Sequence, residues 1–274
     1  MTGKETTSSW RRCGLFLAAF FTLFTVATVA KADGASQSAA GERVDLLVGS
    51  DFEAERPMLF GVRMVMKEGW HTYWRRPGDS GIAPRFDWSA SQNVAAVKLL
   101  WPVPQRFDAE GDMTVGYAHE VIWPVLVHAI DAKKPVRLAL EMSYGVCADI
   151  CVPGQMRREV IMSPGFTAEP ETGQQIRDFL ARVPAAPRNE SDVSARLAGD
   201  VLHVRLKGAT ETPALILEGP RGVWFGKPQA TADGDTLDYA VPVELNEDAH
   251  LAGAKVTLTF SGPATTIEAV REIE

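Results

Sequence analysis

Three cysteines in 274 residues are too few for a disulfide-dense small scaffold and too few for a four-cysteine zinc site. Basic charge is also in deficit, with 28 Lys and Arg against 35 Asp and Glu, a formal net charge of −7. That balance argues against nucleic acid and anionic lipid as main partners, because both need concentrated positive charge. Past the first 32 residues no apolar run approaches the ~18 residues of a spanning helix. There is no G-x-G-x-x-G, phosphate loop, H-E-x-x-H or G-x-S-x-G. The commonest nucleotide-binding, zinc-peptidase and hydrolase signatures are thereby missing. Gly and Pro are at ordinary levels, 23 and 17 residues, so no low-complexity tract is present. What is present is 46% hydrophobic and 23% charged, the proportions of a globular protein.

The N-terminus has a separate character. Arg11 and Arg12 precede an apolar run from Gly14 to Ala30, and Ala30-Lys31-Ala32 places small residues at the cleavage-determining positions. This is the pattern of a secretory signal peptide over residues 1–32, cut before Asp33. Cys13 precedes the apolar run, which argues against a lipoprotein site, and Gly14 stands where twin-arginine export wants a hydrophobic residue. The mature chain is then acidic, with 24 basic and 34 acidic residues. Cleavage also removes Cys13 and leaves Cys147 and Cys151. In an oxidising compartment that pair is expected to be a disulfide or a dithiol.

The mature chain is expected to hold two domains. Residues 163–191 carry Pro164, Pro170, Pro184 and Pro187 among small and polar residues, as a linker does. Within it Ile176, Phe179, Leu180 and Val183 recur at helical spacing, so a short amphipathic helix is expected at the junction. Before the linker, Met58, Phe60, Val62, Met64 and Met66 alternate with a more mixed face, the period of a half-buried strand. Similar short runs are Arg43–Val48, Trp70–Trp74, Val94–Trp101, Glu120–Ala129, Val136–Tyr144 and Arg157–Met162. After the linker come Val201–Leu206, Ala214–Leu217, Leu237–Leu245 and Lys255–Phe260. Short strands without alternating helices predict an all-β chain of two tandem antiparallel sandwiches, over 33–165 and 188–274, with the linker at 166–187.

Tyr144-Gly-Val-Cys147-Ala-Asp-Ile-Cys151-Val-Pro153 is the chemically loaded segment. Extended, residues four apart lie ~13 Å from one another, well beyond the Cα separation of a disulfide. The cysteines can pair only if the chain bends, and Ala148-Asp149-Ile150 suits the loop of a hairpin. A bridge closing so small a loop removes little unfolded-chain entropy. Redox function is therefore favoured over a purely structural staple. Copper is the rival, since paired thiolates suit its monovalent ion. The dinuclear copper pattern would add a His and a Met after the second Cys, but Gln155 and Arg158 stand there. Gly69-Trp-His-Thr-Tyr-Trp-Arg-Arg-Pro-Gly-Asp-Ser-Gly81 is dense in aromatics and turn formers, and its rings are read mainly as core. His71 is read as a structural histidine. The stretch Phe107–Tyr117, rich in Asp, Glu and Gly, is expected to be a solvated loop.

These segments together resemble the N-terminal periplasmic domain of thiol:disulfide interchange proteins of the DsbD type, closest to the suppressor-of-copper-sensitivity (ScsB) variant. The resemblance rests on Gly69–Gly81, Trp101-Pro-Val-Pro-Gln-Arg-Phe107, Gly116-Tyr117 with Glu120-Val121, and Cys147–Pro153, over about residues 40–162. It implies an immunoglobulin-like fold and electron transfer by disulfide exchange, with Cys147 and Cys151 as the redox pair and no cofactor or metal. It also implies a cap over the pair around Asp112–Tyr117, with Tyr73 lining the same pocket. The implied partners are thioredoxin-like periplasmic proteins, with no nucleic acid. Members of that family continue into a membrane domain, so a chain ending at Glu274 is expected to draw electrons from a separate membrane protein. The alternative is a copper-binding or non-catalytic interaction module of the periplasm.

Overall fold

The computed structural model describes Met1 and residues 41–52, 56–78, 80–109 and 112–274. The expected signal peptide therefore lies, Met1 apart, outside the described residues. Its described part is predominantly β, in two sets of sheets separated by a short helix.

The first set begins with β1 (Arg43–Val48), β2 (Met58–Val65), β3 (His71–Gly78), β4 (Arg85–Asp87) and β5 (Val94–Leu99). It continues through β6 (Gln105–Ala109), β7 (Asp112–Ala118), β8 (Glu120–Ala129), β9 (Val136–Cys147) and β10 (Cys151–Met162). One sheet runs β1-β2-β8-β5; the other runs β10-β9-β3-β7-β6, with β4 also paired to β9. All the pairings are antiparallel. Alternation decides which side chains are enclosed. Met58, Phe60, Val62 and Met64 of β2 are fully buried, as are Trp123, Val125 and Val127 of β8, and they meet Leu138, Met142 and Val146 of β9 in one cluster.

The opposite face of β2 is covered too. Helix α1 (Pro170–Leu180) has Pro at its start, Glu171 in its first turn and Arg177 in its last, the arrangement its dipole favours. Ile176 is fully buried against Leu59 and Ile122, which stabilises the contact by roughly 1.5–3 kcal/mol. The helix can come this close because residue 61 is glycine, where a Cβ would fall 2.9 Å from the Ile176 side chain. The amphipathic segment thus packs on the β2–β8 sheet, and Val183 falls beyond its end.

The second set comprises β11 (Val193–Ala198), β12 (Val201–Lys207), β13 (Ala214–Glu218), β14 (Val223–Phe225), β15 (Gln229–Asp233), β16 (Thr236–Leu245), β17 (Lys255–Ser261) and β18 (Thr266–Glu272). One sheet runs β11-β12-β16-β14 with β15 also on β16, and the other runs β13-β17-β18. Leu202 and Val204 of the first sheet share a core with Val256, Leu258 and Phe260 of the second. Tyr239 lies in that core with its hydroxyl donating to the Pro213 carbonyl at 2.7 Å, and burial pushes its pKa up to about 12.

The two sets touch. Ile216 of β13 is buried in the core of the first set. Arg75 of β3 forks onto Glu218 of β13, with Nε 3.0 Å from Oε1, and also reaches Glu268 of β18. Arg76 donates to the Gly219 carbonyl. Between the sets, the Ala185 carbonyl accepts from the Glu268 amide at 2.8 Å.

The stretch Phe107–Tyr117 differs from the sequence expectation. Its described residues, 107–109 and 112–117, belong to β6 and β7 rather than to a solvated loop, and β7 pairs with β3. Its polar residues hid the alternation: Val115 and Tyr117, two apart on β7, turn inward and are buried.

Candidate redox site

The chain bends at Ala148-Asp149-Ile150, as the loop length predicts, and Cys147 pairs with Cys151 across the β9–β10 hairpin. Their Cα atoms are 4.1 Å apart and the sulfurs are bonded. The two cysteines differ in access. Cys147 is 2% exposed, at the end of a strand flanked by β3. Cys151 is exposed, and the neighbouring Ile150 is 67% exposed.

Register puts the remaining side chains in place. His71 of β3 faces Cys147 of β9, so the two share a sheet face, and Tyr73, two residues on, shares it too. This face is turned away from the core that holds Val146 and Trp74. The Tyr73 hydroxyl donates to Cys147 Sγ at 2.7 Å and lies 3.4 Å from Cys151 Sγ. Burial raises the Tyr73 pKa, so the phenol keeps its proton at neutral pH and remains a donor.

A short segment covers the phenol. Gly81 has φ +116°, and a Cβ there would fall 2.3 Å from Tyr73 Cε1. Next to it Ile82 packs over Gly145, where a Cβ would sit 2.7 Å from the Ile82 Cβ. The Pro-Gly-Asp-Ser-Gly run thus ends in a close crossing of backbone over ring that only glycine permits. On the other side the Phe107 ring of β6 stacks on His71, centroids 4.6 Å apart, and His71 stands edge-on to Tyr73 at 5.3 Å. Burial lowers the His71 pKa, which favours the neutral ring.

Of the residues named from sequence, Cys147, Cys151 and Tyr73 come together here. Tyr117 does not join them: it faces Thr72, one residue out of phase with His71 and Tyr73, and so points into the core. Its hydroxyl donates to the Pro102 carbonyl at 2.7 Å and its ring stands edge-on to Trp123. Burial holds its pKa well above the usual value. Asp112 opens β7 opposite Ala109, on a strand paired on both sides. The segment Asp112–Tyr117 is therefore part of a sheet, and the described rings near the pair are those of Tyr73, His71 and Phe107. Phe107 escaped the sequence reading because its role depends on strand order; the alternation His71-Thr72-Tyr73 was the available signal for the other two. No group of three or more His, Cys, Asp or Glu side chains able to hold a metal occurs among the described residues.

Comparison with known proteins bears on this arrangement. Residues 48–162 match the family described as thiol:disulfide interchange protein DsbD, N-terminal. Residues 182–273 match a family described as a domain of unknown function (DUF8393). No curated protein matches the chain. Among solved structures, the N-terminal periplasmic domain of ScsB from Proteus mirabilis superposes with a TM-score of 0.68 at 24% identity, covering 85% of this chain and 93% of that one. The fold is thus shared across both sheet sets. The reduced DsbD N-terminal domain of Neisseria meningitidis is also similar, with a TM-score of 0.27 at 18% identity over 46% of this chain and 90% of that one.

Proposed function

We propose that this chain is a periplasmic protein that passes reducing equivalents to other proteins by thiol:disulfide exchange at Cys147 and Cys151. The observation that carries the reading is the asymmetry of the bond. Cys151 is exposed to a partner, and Cys147 is buried against a phenol donor. The match of residues 48–162 to the DsbD N-terminal family supports it. So does the likeness to the periplasmic domain of ScsB, from which the location is also inferred.

In the reducing direction, the Cys151 thiolate attacks a sulfur of the partner's disulfide and releases the partner's other sulfur as a thiolate. Cys147 then attacks Cys151 Sγ. The intramolecular disulfide re-forms, and the partner leaves with two electrons and two thiols. In the recharging direction a donor thiolate attacks the exposed Cys151 sulfur, and Cys147 leaves as a thiolate. Tyr73 is placed to donate to that leaving sulfur, and hydrogen bonds to a charged acceptor are the stronger kind. The proposed partners are thioredoxin-like proteins, with a separate membrane protein as donor. Exposed Ile150 beside Cys151, and Ile82 over Gly145, offer such a partner an apolar collar around the reactive sulfur. Phe107, His71 and the Gly81–Ile82 segment cover the Tyr73 side of the pair and leave Cys151 open.

Each sheet set is proposed to be an immunoglobulin-like sandwich, over 33–165 and 188–274 with 166–187 as linker. The two-sheet antiparallel arrangement of each supports it.

The test is equilibration of the protein with glutathione or dithiothreitol buffers, followed by mass counting of alkylated thiols. Exchange at moderate potentials is expected. A bond that stays oxidised far below ~−300 mV is a structural staple and overturns the reading.

A further inference from the structure

The register of strand β3 is interrupted just past the phenol. Its described pairs with β9 are His71 and Thr72, after which Arg85, Phe86 and Asp87 of β4 take that edge of β9. Its pairs with β7 run from His71 to Tyr73 and resume at Gly78, with a register shift between. Among the described residues, Trp74 to Pro77 thus fall in the irregular stretch between the Tyr73 and Gly78 pairs. Tyr73 itself is paired with Gly116, and side chains add a second hold on the bulged segment that follows it.

Those side chains lead to the second sheet set. Trp74 is fully buried in the first core, and the Arg75 guanidinium stacks over its ring, 4.3 Å from the centroid. The same guanidinium is bound through two nitrogens to Glu218 and through one to Glu268. Thr259 donates to Glu268 at 3.1 Å and orients the carboxylate. All three charged side chains are largely covered, at 27%, 15% and 29% exposure. Burial by itself would ease the proton off Arg75, but the hydrogen bonds and charges of Glu218 and Glu268 more than reverse this. A planar fork bound along its edge and stacked on one face has little freedom. Arg76 adds a bond to the Gly219 carbonyl one residue further on.

We infer that Arg75, clamped by Glu218 and Glu268, is a positioning residue that holds Tyr73 on the Cys147 sulfur, so that the second sheet set tunes the exchange carried out by the first. The inference rests on the proposed exchange activity. The second set is then a working part of the redox site rather than a passenger.

The experiment measures the equilibrium constant of the balanced reaction in which disulfide plus two glutathione thiols gives two protein thiols plus glutathione disulfide. Tyr73→Phe removes the donor to the thiolate and is expected to shift the equilibrium about tenfold toward the disulfide. Glu218→Gln with Glu268→Gln is expected to shift it in the same direction, about threefold or more, and to add nothing in the Tyr73→Phe background. Arg75→Ala is expected to behave likewise. The carboxamide variants separate positioning from simple charge. Removing two negative charges would by field alone favour the thiolate, the opposite direction. A shift toward the dithiol, or one that persists alongside Tyr73→Phe, overturns the inference, as does no shift at all. The resonance of a labelled Tyr73 ring gives a second readout that does not depend on exchange. An unmoved ring in the carboxamide variants overturns the inference. If the unaltered protein does not equilibrate with glutathione, the exchange function fails instead, while a displaced ring still upholds the clamp.

Discussion

Tyr73 and Cys147 are 74 residues apart in sequence, yet the phenol hydroxyl donates to the sulfur at 2.7 Å. The link is made by adjacent strands whose register sets His71 opposite Cys147. A neutral disulfide sulfur is a weak acceptor and a thiolate a strong one, so the same contact matters more once the bond opens.

The first prediction concerns the rate at which the bond opens. In Tyr73→Phe, reduction by dithiothreitol should slow about tenfold, for a lost charge-assisted hydrogen bond of about 1.5 kcal/mol. Alkylation of the buried thiol should need a higher pH, because its thiolate has lost a donor. Stopped-flow reduction and the pH profile of alkylation measure both. An unchanged profile would mean that the phenol does not serve the leaving sulfur.

The second concerns the order of attack. Cys147→Ser leaves the exposed sulfur without its resolving thiol, so it should accumulate mixed disulfides with the natural partner. Cys151→Ser should trap far less, because its remaining sulfur is buried. Acid quenching, alkylation and a search for dithiothreitol-sensitive adducts decide it. The reverse outcome exchanges the two roles.

Gly81→Ala is the third. The new methyl group meets the Tyr73 ring at a backbone angle that L residues rarely adopt. A loss of about 1–3 kcal/mol in urea unfolding is expected. The redox equilibrium should move in the direction of Tyr73→Phe. A variant with full stability and an unmoved equilibrium would show that the crossing over the phenol is loose.

The fourth is a pH dependence. Burial lowers the His71 pKa, so below about pH 6.5 the unfolded chain takes up a proton that the folded protein resists. Its contribution is therefore intact above that pH and is lost as the pH falls toward the folded value. Urea midpoints at pH 7.5 and 5.5 should differ less in His71→Phe, which keeps the stack on Phe107. Equal slopes in the two proteins would assign the acid loss to other groups.

The fifth tests how firmly the two sets adhere. Arg188 is exposed in the segment before β11 and is the natural point of tryptic attack. With Ile216 in the first core and Arg75 bound across the junction, the cut halves should still elute together in native gel filtration. They should part only in denaturant. Spontaneous separation of two folded pieces would show a weak junction.

Much of this was legible in the amino-acid sequence. The alternating apolar residues of Met58–Met66 and Val136–Tyr144 face the first core, and their strands form as expected. The hairpin at Cys147 follows from loop length and sulfur geometry. The β6–β7 hairpin did not show, because its sequence is polar and its pairing with β3 is non-local. Tyr117 was assigned to the cap by the family resemblance, and because it faces Thr72, one residue out of phase with Tyr73, it points the other way. Arg75 reads as an ordinary surface charge until Glu218 and Glu268, more than 140 residues away, are brought to it.

The hairpin that carries the cysteines is zipped by facing pairs from Cys147 and Cys151 down to Val136 and Met162. Opening the sulfur bond therefore frees little beyond Ala148, Asp149 and Ile150, while the ladder below stays closed. The ladder predicts that the oxidised and reduced forms share one scaffold, with little reorganisation between them. Heat then has little purchase on the redox equilibrium through chain disorder, and a partner meets nearly the same surface in either oxidation state. Discrimination between the two forms falls to the sulfur atoms themselves.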